Sequence, residues 1–182
     1  MTYSAVQPDQ DVQFENNIGA ELKDPNWNVS SRCPSGRDCR KSDSALFEYY
    51  LGVNSTDAFA IAVNPNSGDE TIDYTVLNDG AVYAAGQPVG APIGKTGQNT
   101  GTTTGTVEST CLRINQSDSN FTVLCNNQGT YNSIGGDSGS PVFYNAGQRK
   151  FAGIHWGGNG TYSPIEYVFE ELDLDVVNLI YR

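Results

Sequence analysis

Residues 135–142 of this 182-residue chain read GGDSGSPV, and this stretch decides the fold. Its glycines allow backbone angles that other residues rarely adopt, so the stretch predicts a tight turn around Ser138. A serine hydroxyl is a weak nucleophile and needs a base beside it. Such a turn can also aim backbone N–H groups at the oxyanion that forms during acyl transfer. Ser138 is therefore a candidate nucleophile.

The same stretch resembles the nucleophile loop of the chymotrypsin-like serine peptidases, usually written GDSGGP. Ser140 stands where that pattern has the glycine directly before its proline. The resemblance implies that Ser138 is the nucleophile and that the backbone N–H groups of Gly136 and Ser138 form the oxyanion hole. It also implies a secreted enzyme of the bacterial type, with peptides or proteins as substrates.

A second segment, CRKSDSAL at residues 39–46, resembles the one that carries the catalytic aspartate in this family. The resemblance implies that Asp43 orients the histidine base and stabilises its cation. Asp24 and Asp57 are rival candidates, but neither is followed by a comparable run of small and then apolar residues.

Three further expectations come from the resemblance. Asp137 should hold the nucleophile loop through a buried ion pair, with either Lys95 or Arg113 as its partner. The run TGTTTGTV at residues 100–107 is similar to a glycine-threonine turn of bacterial secreted members. Asn132, six residues before the nucleophile, should lie at the base of the primary substrate pocket, where the absence of nearby acidic residues favours a neutral or apolar side chain.

The only histidine of the chain, His155, comes after the serine, whereas the base of the family precedes both the aspartate and the serine. The segment IHWGG at residues 154–158 instead resembles the strand that lines the substrate cleft. We therefore expect His155, Trp156 and Gly157 to form the edge that pairs with substrate. We also expect the base to come from a segment upstream of Met1, so that this chain alone is inactive.

Composition narrows the class of protein. With 10 basic and 21 acidic residues, the net charge is −11, which disfavours binding to nucleic acid or anionic membranes. Only 17% of the residues are charged, as in a loop-rich extracellular protein. Residues 1–20 lack the basic and apolar segments of a secretory signal, so we expect a mature chain or a fragment. We expect no metal and no cofactor.

The four cysteines form two close pairs along the sequence, Cys33 with Cys39 and Cys111 with Cys125. Four cysteines allow three connectivities, of which pairing between sequence neighbours is the simplest. A zinc site is the competing interpretation, but there is no CxxC spacing and no second histidine to support it. Disulfides indicate an oxidising compartment, in agreement with secretion.

Short apolar and β-branched runs, bounded by turn residues, predict strands. They cover residues 45–50, 58–63, 71–76, 106–111, 121–125, 142–144 and 150–155. One helix is predicted near the C-terminus, with Ser163 as N-cap, Pro164 as the first residue and Glu166 completing a capping box. Its apolar face should carry Ile165, Val168, Phe169 and Leu172.

These features predict an all-β, trypsin-like double Greek-key β-barrel with a C-terminal helix. We expect residues 1–64 to be the remnant of an incomplete N-terminal barrel that carries Asp43. Residues 65–182 should form the C-terminal barrel with the nucleophile loop. The expected function is a secreted serine endopeptidase, and the alternative is a non-catalytic binding or interaction module with the same fold.

Overall fold

A computed structural model of the chain describes residues 4–6, 17–27, 32–51, 60–62, 74–76, 87–117, 119–146 and 148–174. Within these residues the strands are β1 (Ser4–Val6), β2 (Asn17–Lys23), β3 (Asp38–Arg40), β4 (Leu46–Tyr49), β5 (Ala60–Ala62), β6 (Tyr74–Val76), β7 (Pro92–Gly97), β8 (Gly101–Asn115), β9 (Phe121–Gly129), β10 (Pro141–Ala146), β11 (Gln148–Gly157) and β12 (Thr161–Pro164). The one helix of these described residues, α1 (Ile165–Leu172), follows β12. Asp57, one of the rival aspartates, lies outside the described residues.

Six antiparallel strands close into a barrel in the C-terminal half of the chain. Their order is β12-β11-β10-β7-β8-β9, and β12 also pairs with β9, which completes the ring. A closed ring leaves no unpaired edge, so the barrel buries its interior without a partner. The buried cluster inside it comprises Ala91, Ile93, Val107, Tyr131, Val142, Ala152 and Tyr162.

The segment that carries Asp43 is fastened to the outside of this barrel. Strand β3 pairs in parallel with β9, with Cys39 opposite Thr122. The Cys33–Cys39 disulfide closes the loop before β3, and the Cys111–Cys125 disulfide links β8 to β9. Both predicted pairings are therefore confirmed.

Two small sheets lie among the described residues before β7. Strand β2 lies between β1 and β4 in a three-stranded sheet, while β5 and β6 pair with each other. The sequence did not predict β2, because Gly19 weakens its pattern of apolar residues. The structure explains this glycine, since a Cβ atom there would lie 2.4 Å from the carbonyl oxygen of Glu48 on β4.

All seven predicted strand runs overlap strands of the structure, but two barrel strands were missed. Strand β7 begins with a proline and contains two glycines, a composition that is typical of turns. Strand β12 was interpreted as the start of the helix. The closed barrel and the helix that follows it confirm the prediction of an all-β fold with a C-terminal helix.

The predicted capping box at the helix is wrong. The helix begins at Ile165, after Pro164, and no side chain caps it. The Ser163 hydroxyl donates instead to Asn126 Oδ1, 2.9 Å away, because Ser163 belongs to a strand of the barrel. The predicted apolar face is confirmed, with Ile165, Val168, Phe169 and Leu172 all buried. In the described parts of the chain, we find no helix with the length and apolar character needed to cross a membrane.

Candidate active site

Ser138 lies in the exposed turn between β9 and β10. Its hydroxyl donates a hydrogen bond to the carbonyl oxygen of Trp156 on β11, at 3.2 Å. Gly136 and Gly139, which flank the turn, have φ angles of +96° and +88°, which explains why glycine occupies both positions. The turn is closed by a hydrogen bond from Ser140 N–H to the carbonyl oxygen of Asp137, at 3.1 Å.

The turn that carries Ser138 is joined to β11 through backbone hydrogen bonds. Gly139 N–H donates to the carbonyl oxygen of His155 at 2.7 Å, and His155 N–H donates to that of Ser140 at 2.9 Å. The backbone N–H and carbonyl of His155 are thus both hydrogen-bonded within the protein. The carbonyl of Trp156 is the group of this strand that faces the serine hydroxyl.

Two backbone donors lie on the same turn as Ser138. Among the residues that the structure describes, the N–H groups of Gly136 and Ser138 have no hydrogen-bond acceptor. Both residues are exposed, so these groups are open to solvent. Two such N–H groups beside a serine can donate hydrogen bonds to a developing oxyanion.

The carboxylate of Asp137, the residue before Ser138, is completely buried and forms an ion pair with Lys95 Nζ at 3.0 Å. It also accepts hydrogen bonds from Asn99 N–H at 2.9 Å and from Ile134 N–H at 3.1 Å. The Thr100 hydroxyl donates a further bond at 2.7 Å. Burial alone would raise the pKa of Asp137, but these donors outweigh it and hold the pKa well below its usual range.

This network identifies Lys95, and not Arg113, as the ion-pair partner of Asp137. Lys95 is fully buried on β7 and faces the loop, whereas Arg113 is exposed on β8. Asn99 and Thr100, in the turn between β7 and β8, were not recognised as loop partners. Thr100 begins the run TGTTTGTV, but the contacts of both residues with Asp137 depend on the packing of two distant segments.

The side chain of His155 points into the barrel core. It is 2% exposed, and its Nδ1 lies 3.1 Å from the hydroxyl oxygen of Tyr131. Burial, followed by the positive charge of Lys95, lowers the pKa of His155. The imidazole is therefore held neutral in the core, while the Ser138 hydroxyl turns to the Trp156 carbonyl on the surface.

Asp43 lies beside Arg40, which donates a hydrogen bond to one of its carboxylate oxygens. The same guanidinium bonds Asp24 at 2.8 Å and stacks over the ring of Trp27 at 4.1 Å. The side chain of Asp43 is 34% exposed and remains accessible from one side. Asp24, the rival candidate, thus forms an ion pair with the same arginine as Asp43.

A chain of hydrogen bonds connects the Asp43 segment to Trp156 on β11. Asp43 N–H donates to the Ser163 hydroxyl at 2.9 Å, which in turn donates to Asn126 Oδ1. Trp156 Nε1 donates to the same amide oxygen at 2.8 Å. Asn126 is fully buried, and the sequence did not indicate its role because the pair Asn126-Asn127 in a strand matches no functional motif.

The surface near Trp156 contains a groove. Its volume is about 400 Å³, and it is lined by Ile114, Asn115, Gln116, Ser117, Ser119 and Trp156. Asn132 lies on the exposed surface, and its carbonyl accepts a hydrogen bond from the Thr103 hydroxyl at 2.7 Å. The structure thus places a surface groove next to the residue whose carbonyl faces Ser138.

Neither the models of protein families nor the sequences of curated proteins gave a match to this chain. Solved structures did. Cellulomonas bogoriensis chymotrypsin matches 86% of this chain and 73% of its own length, with 22% identity and a TM-score of 0.55. A glutamic acid specific serine protease, described as using a histidine triad in substrate binding, matches 85% of this chain and 71% of its own, with 23% identity and a TM-score of 0.53.

Thermobifida fusca protease A is similar to the same degree, matching 84% of this chain and 70% of its own length, with 19% identity and a TM-score of 0.55. All three similarities extend over most of the chain and therefore concern its fold as a whole. Together with the closed barrel and the glycine-bounded serine turn, they show that this chain has the fold of the bacterial chymotrypsin-like serine proteases.

Proposed function

We propose that this chain belongs to a secreted serine endopeptidase with Ser138 as its nucleophile. The observation that carries the proposal is the turn itself. Ser138 is exposed between two glycines with positive φ angles, and the neighbouring Asp137 is completely buried in an ion pair. A turn that exposes the Ser138 hydroxyl beside two backbone N–H groups without an acceptor among the described residues suits acyl transfer.

The reaction would proceed through an acyl-serine. The Ser138 oxygen attacks the carbonyl carbon of the peptide bond, and its proton passes to a base that later donates it to the leaving amine. The N–H groups of Gly136 and Ser138 stabilise the oxyanion. The Trp156 carbonyl lies close enough to the serine to accept an N–H group of the substrate, and the adjacent groove is suited to an extended peptide.

The base is the part of the mechanism that residues 1–182 do not supply. His155 is buried against Tyr131, and general-base catalysis requires an imidazole nitrogen about 2.6–3.2 Å from the serine hydroxyl. Loss of one triad member leaves only about 10³–10⁴-fold acceleration over water. We therefore infer that a segment encoded upstream of Met1 provides a histidine that Asp43 orients, and that this chain alone is inactive.

A fluorophosphonate probe, which reacts only with an activated serine, tests this proposal. We expect negligible labelling of the 182-residue chain and rapid labelling of the product of the same gene extended upstream of Met1. The matched control, Ser138→Ala in the extended protein, should abolish labelling. Addition of free imidazole to the 182-residue chain should partly restore reactivity, because a soluble base can enter the exposed site.

Two outcomes would contradict the proposal. Rapid labelling of the 182-residue chain that His155→Ala abolishes would make His155 the base. Absence of labelling in the extended protein, combined with retained binding of peptides, would instead favour a non-catalytic binding module. The two disulfides support export to an oxidising compartment in either case.

A further inference from the structure

Asn99, in the turn between β7 and β8, lies directly over the nucleophile loop. Its side-chain Nδ2 donates a hydrogen bond to the carbonyl oxygen of Gly135, at 2.6 Å. A Cβ atom at Gly136 would lie only 2.2 Å from the same nitrogen. The Asn99 amide therefore contacts the one peptide unit that joins Gly135 to Gly136.

This peptide unit carries one of the two candidate oxyanion donors. In a trans peptide the carbonyl and the N–H of one unit point in opposite directions. A bond that holds the Gly135 carbonyl toward Asn99 thus turns the Gly136 N–H away from Asn99, where it has no acceptor among the described residues.

The backbone alone does not determine this orientation. The peptide lies between two glycines, and rotation of such a unit meets little steric resistance because glycine adopts positive and negative φ angles about equally well. An external contact is needed to select one of the two orientations. Asn99 is the side chain that makes this contact.

The position of Asn99 is itself fixed by the buried network. Its backbone N–H donates to Asp137 Oδ1 at 2.9 Å, and the N–H of Thr100 donates to the same oxygen at 3.2 Å. Asp137 is in turn paired with Lys95. The carboxylate that precedes Ser138 therefore also places the amide that acts on the Gly135 carbonyl.

We propose that Asn99 is a positioning residue that sets the orientation of the Gly135–Gly136 peptide and so aims the Gly136 N–H at the oxyanion. The inference rests on the proposed function, in which Ser138 is the nucleophile. Asn99 does not touch the reacting atoms. It acts through one hydrogen bond to a carbonyl.

Two substitutions separate positioning from packing. Asn99→Ala removes the bond, and we expect kcat to fall by about 10-fold with KM nearly unchanged, since one neutral hydrogen bond shifts an equilibrium by roughly that factor. Asn99→Asp keeps the size of the side chain but repels the Gly135 carbonyl and accepts the N–H of the rotated peptide. Its kcat should fall by about 10²–10³-fold, the effect of losing an oxyanion donor.

A side chain needed only for packing would give the reverse order, with the isosteric Asn99→Asp close to the parent protein. Gln98→Ala, an exposed neighbour in the same turn, is the control and should retain full activity. Kinetics are measured with a peptide ester on the product of the gene extended upstream of Met1. Equal activity of Asn99→Ala, Asn99→Asp and Gln98→Ala would overturn the inference.

A second measurement does not depend on catalysis. The residual dipolar coupling of the Gly136 N–H in the 15N-labelled 182-residue chain reports the orientation of the peptide. We expect it to change in Asn99→Asp and to stay the same in Gln98→Ala. An unchanged coupling in Asn99→Asp would refute the role of Asn99, even if the extended protein proved inactive. Failure of the probe to label Ser138 would refute only the proposed function.

Discussion

Lys95 Nζ lies 3.0 Å from Asp137 Oδ2, and neither side chain has any exposed surface. This ion pair connects β7 of the barrel to the residue that precedes Ser138. A buried charge is tolerated only when a partner and hydrogen bonds compensate for its lost hydration. The pair therefore links the stability of the barrel to the shape of the nucleophile loop.

Lys95→Met should lower the free energy of unfolding by about 3–5 kcal/mol, because it leaves the Asp137 carboxylate buried without its cation. Guanidinium-induced unfolding measures the change. The control is Lys41→Met, which breaks a more exposed pair with Glu170 and should cost no more than about 1 kcal/mol. Equal losses of unfolding free energy in the two variants would show that the buried pair contributes no more to stability than the exposed one.

His155 should make the stability depend on pH near neutrality. Its folded pKa is lowered, so the folded state binds fewer protons than the unfolded state, whose pKa is about 6.5. The stabilisation is complete above pH 6.5 and decreases as the pH falls toward the folded pKa, by up to about 1.4 kcal/mol per pH unit. The groups that face the ring are Tyr131, Lys95 and Asp137.

Unfolding experiments between pH 7.5 and 5 on the parent protein and on His155→Gln measure this slope. The difference in unfolding free energy between the two proteins should shrink as the pH falls. Parallel pH profiles would mean that His155 titrates normally in the folded protein.

Ser140, the departure from the GDSGGP pattern, should stabilise the loop. Its buried hydroxyl donates to the Asp137 carbonyl. Ser140→Ala should therefore cost about 1 kcal/mol for the lost hydrogen bond. Ser140→Gly should cost about 0.5–1 kcal/mol more, because glycine loses more backbone entropy on folding. Thermal unfolding of the three proteins checks this order, and a glycine variant as stable as the parent would contradict it.

Substrates with a neutral or apolar residue before the cleaved bond should be preferred over those with lysine or arginine. No acidic residue occurs between Cys125 and Gly136, so a basic side chain near Asn132 would lack a counter-charge there. We expect kcat/KM for leucine or glutamine to exceed that for arginine by at least about 10-fold.

The measurement uses matched peptides and the product of the gene extended upstream of Met1. A glutamate peptide in the set supplies the acidic counterpart of the arginine peptide. Efficient cleavage after arginine would contradict the prediction.

Features that depend on a few adjacent residues could be predicted from the sequence. The pattern GGDSGSPV identifies a turn because glycine permits its backbone angles, and the structure has positive φ at Gly136 and Gly139. The two cysteine pairs are close in sequence, and their disulfides are the predicted ones. The apolar face of α1 follows from helical periodicity alone.

The tertiary structure decided which distant groups meet. The sequence offered Lys95 and Arg113 as partners of Asp137, and the register of β7 and β8 places only Lys95 in the interior next to the loop. His155 and Trp156 are adjacent in sequence, but alternation along β11 buries one side chain and leaves the other near the surface.

Asn99 and Asn126 illustrate the same limit. Each asparagine lies outside any recognised motif, and its role depends on a hydrogen bond to a residue more than thirty positions away, 36 for Asn99 to Gly135 and 37 for Asn126 to Ser163. Local propensity carries no information about such contacts, since they form only when the barrel closes. The sequence thus determined the turn, the cross-links and the helix face, and the closure of the barrel decided how the nucleophile loop is held.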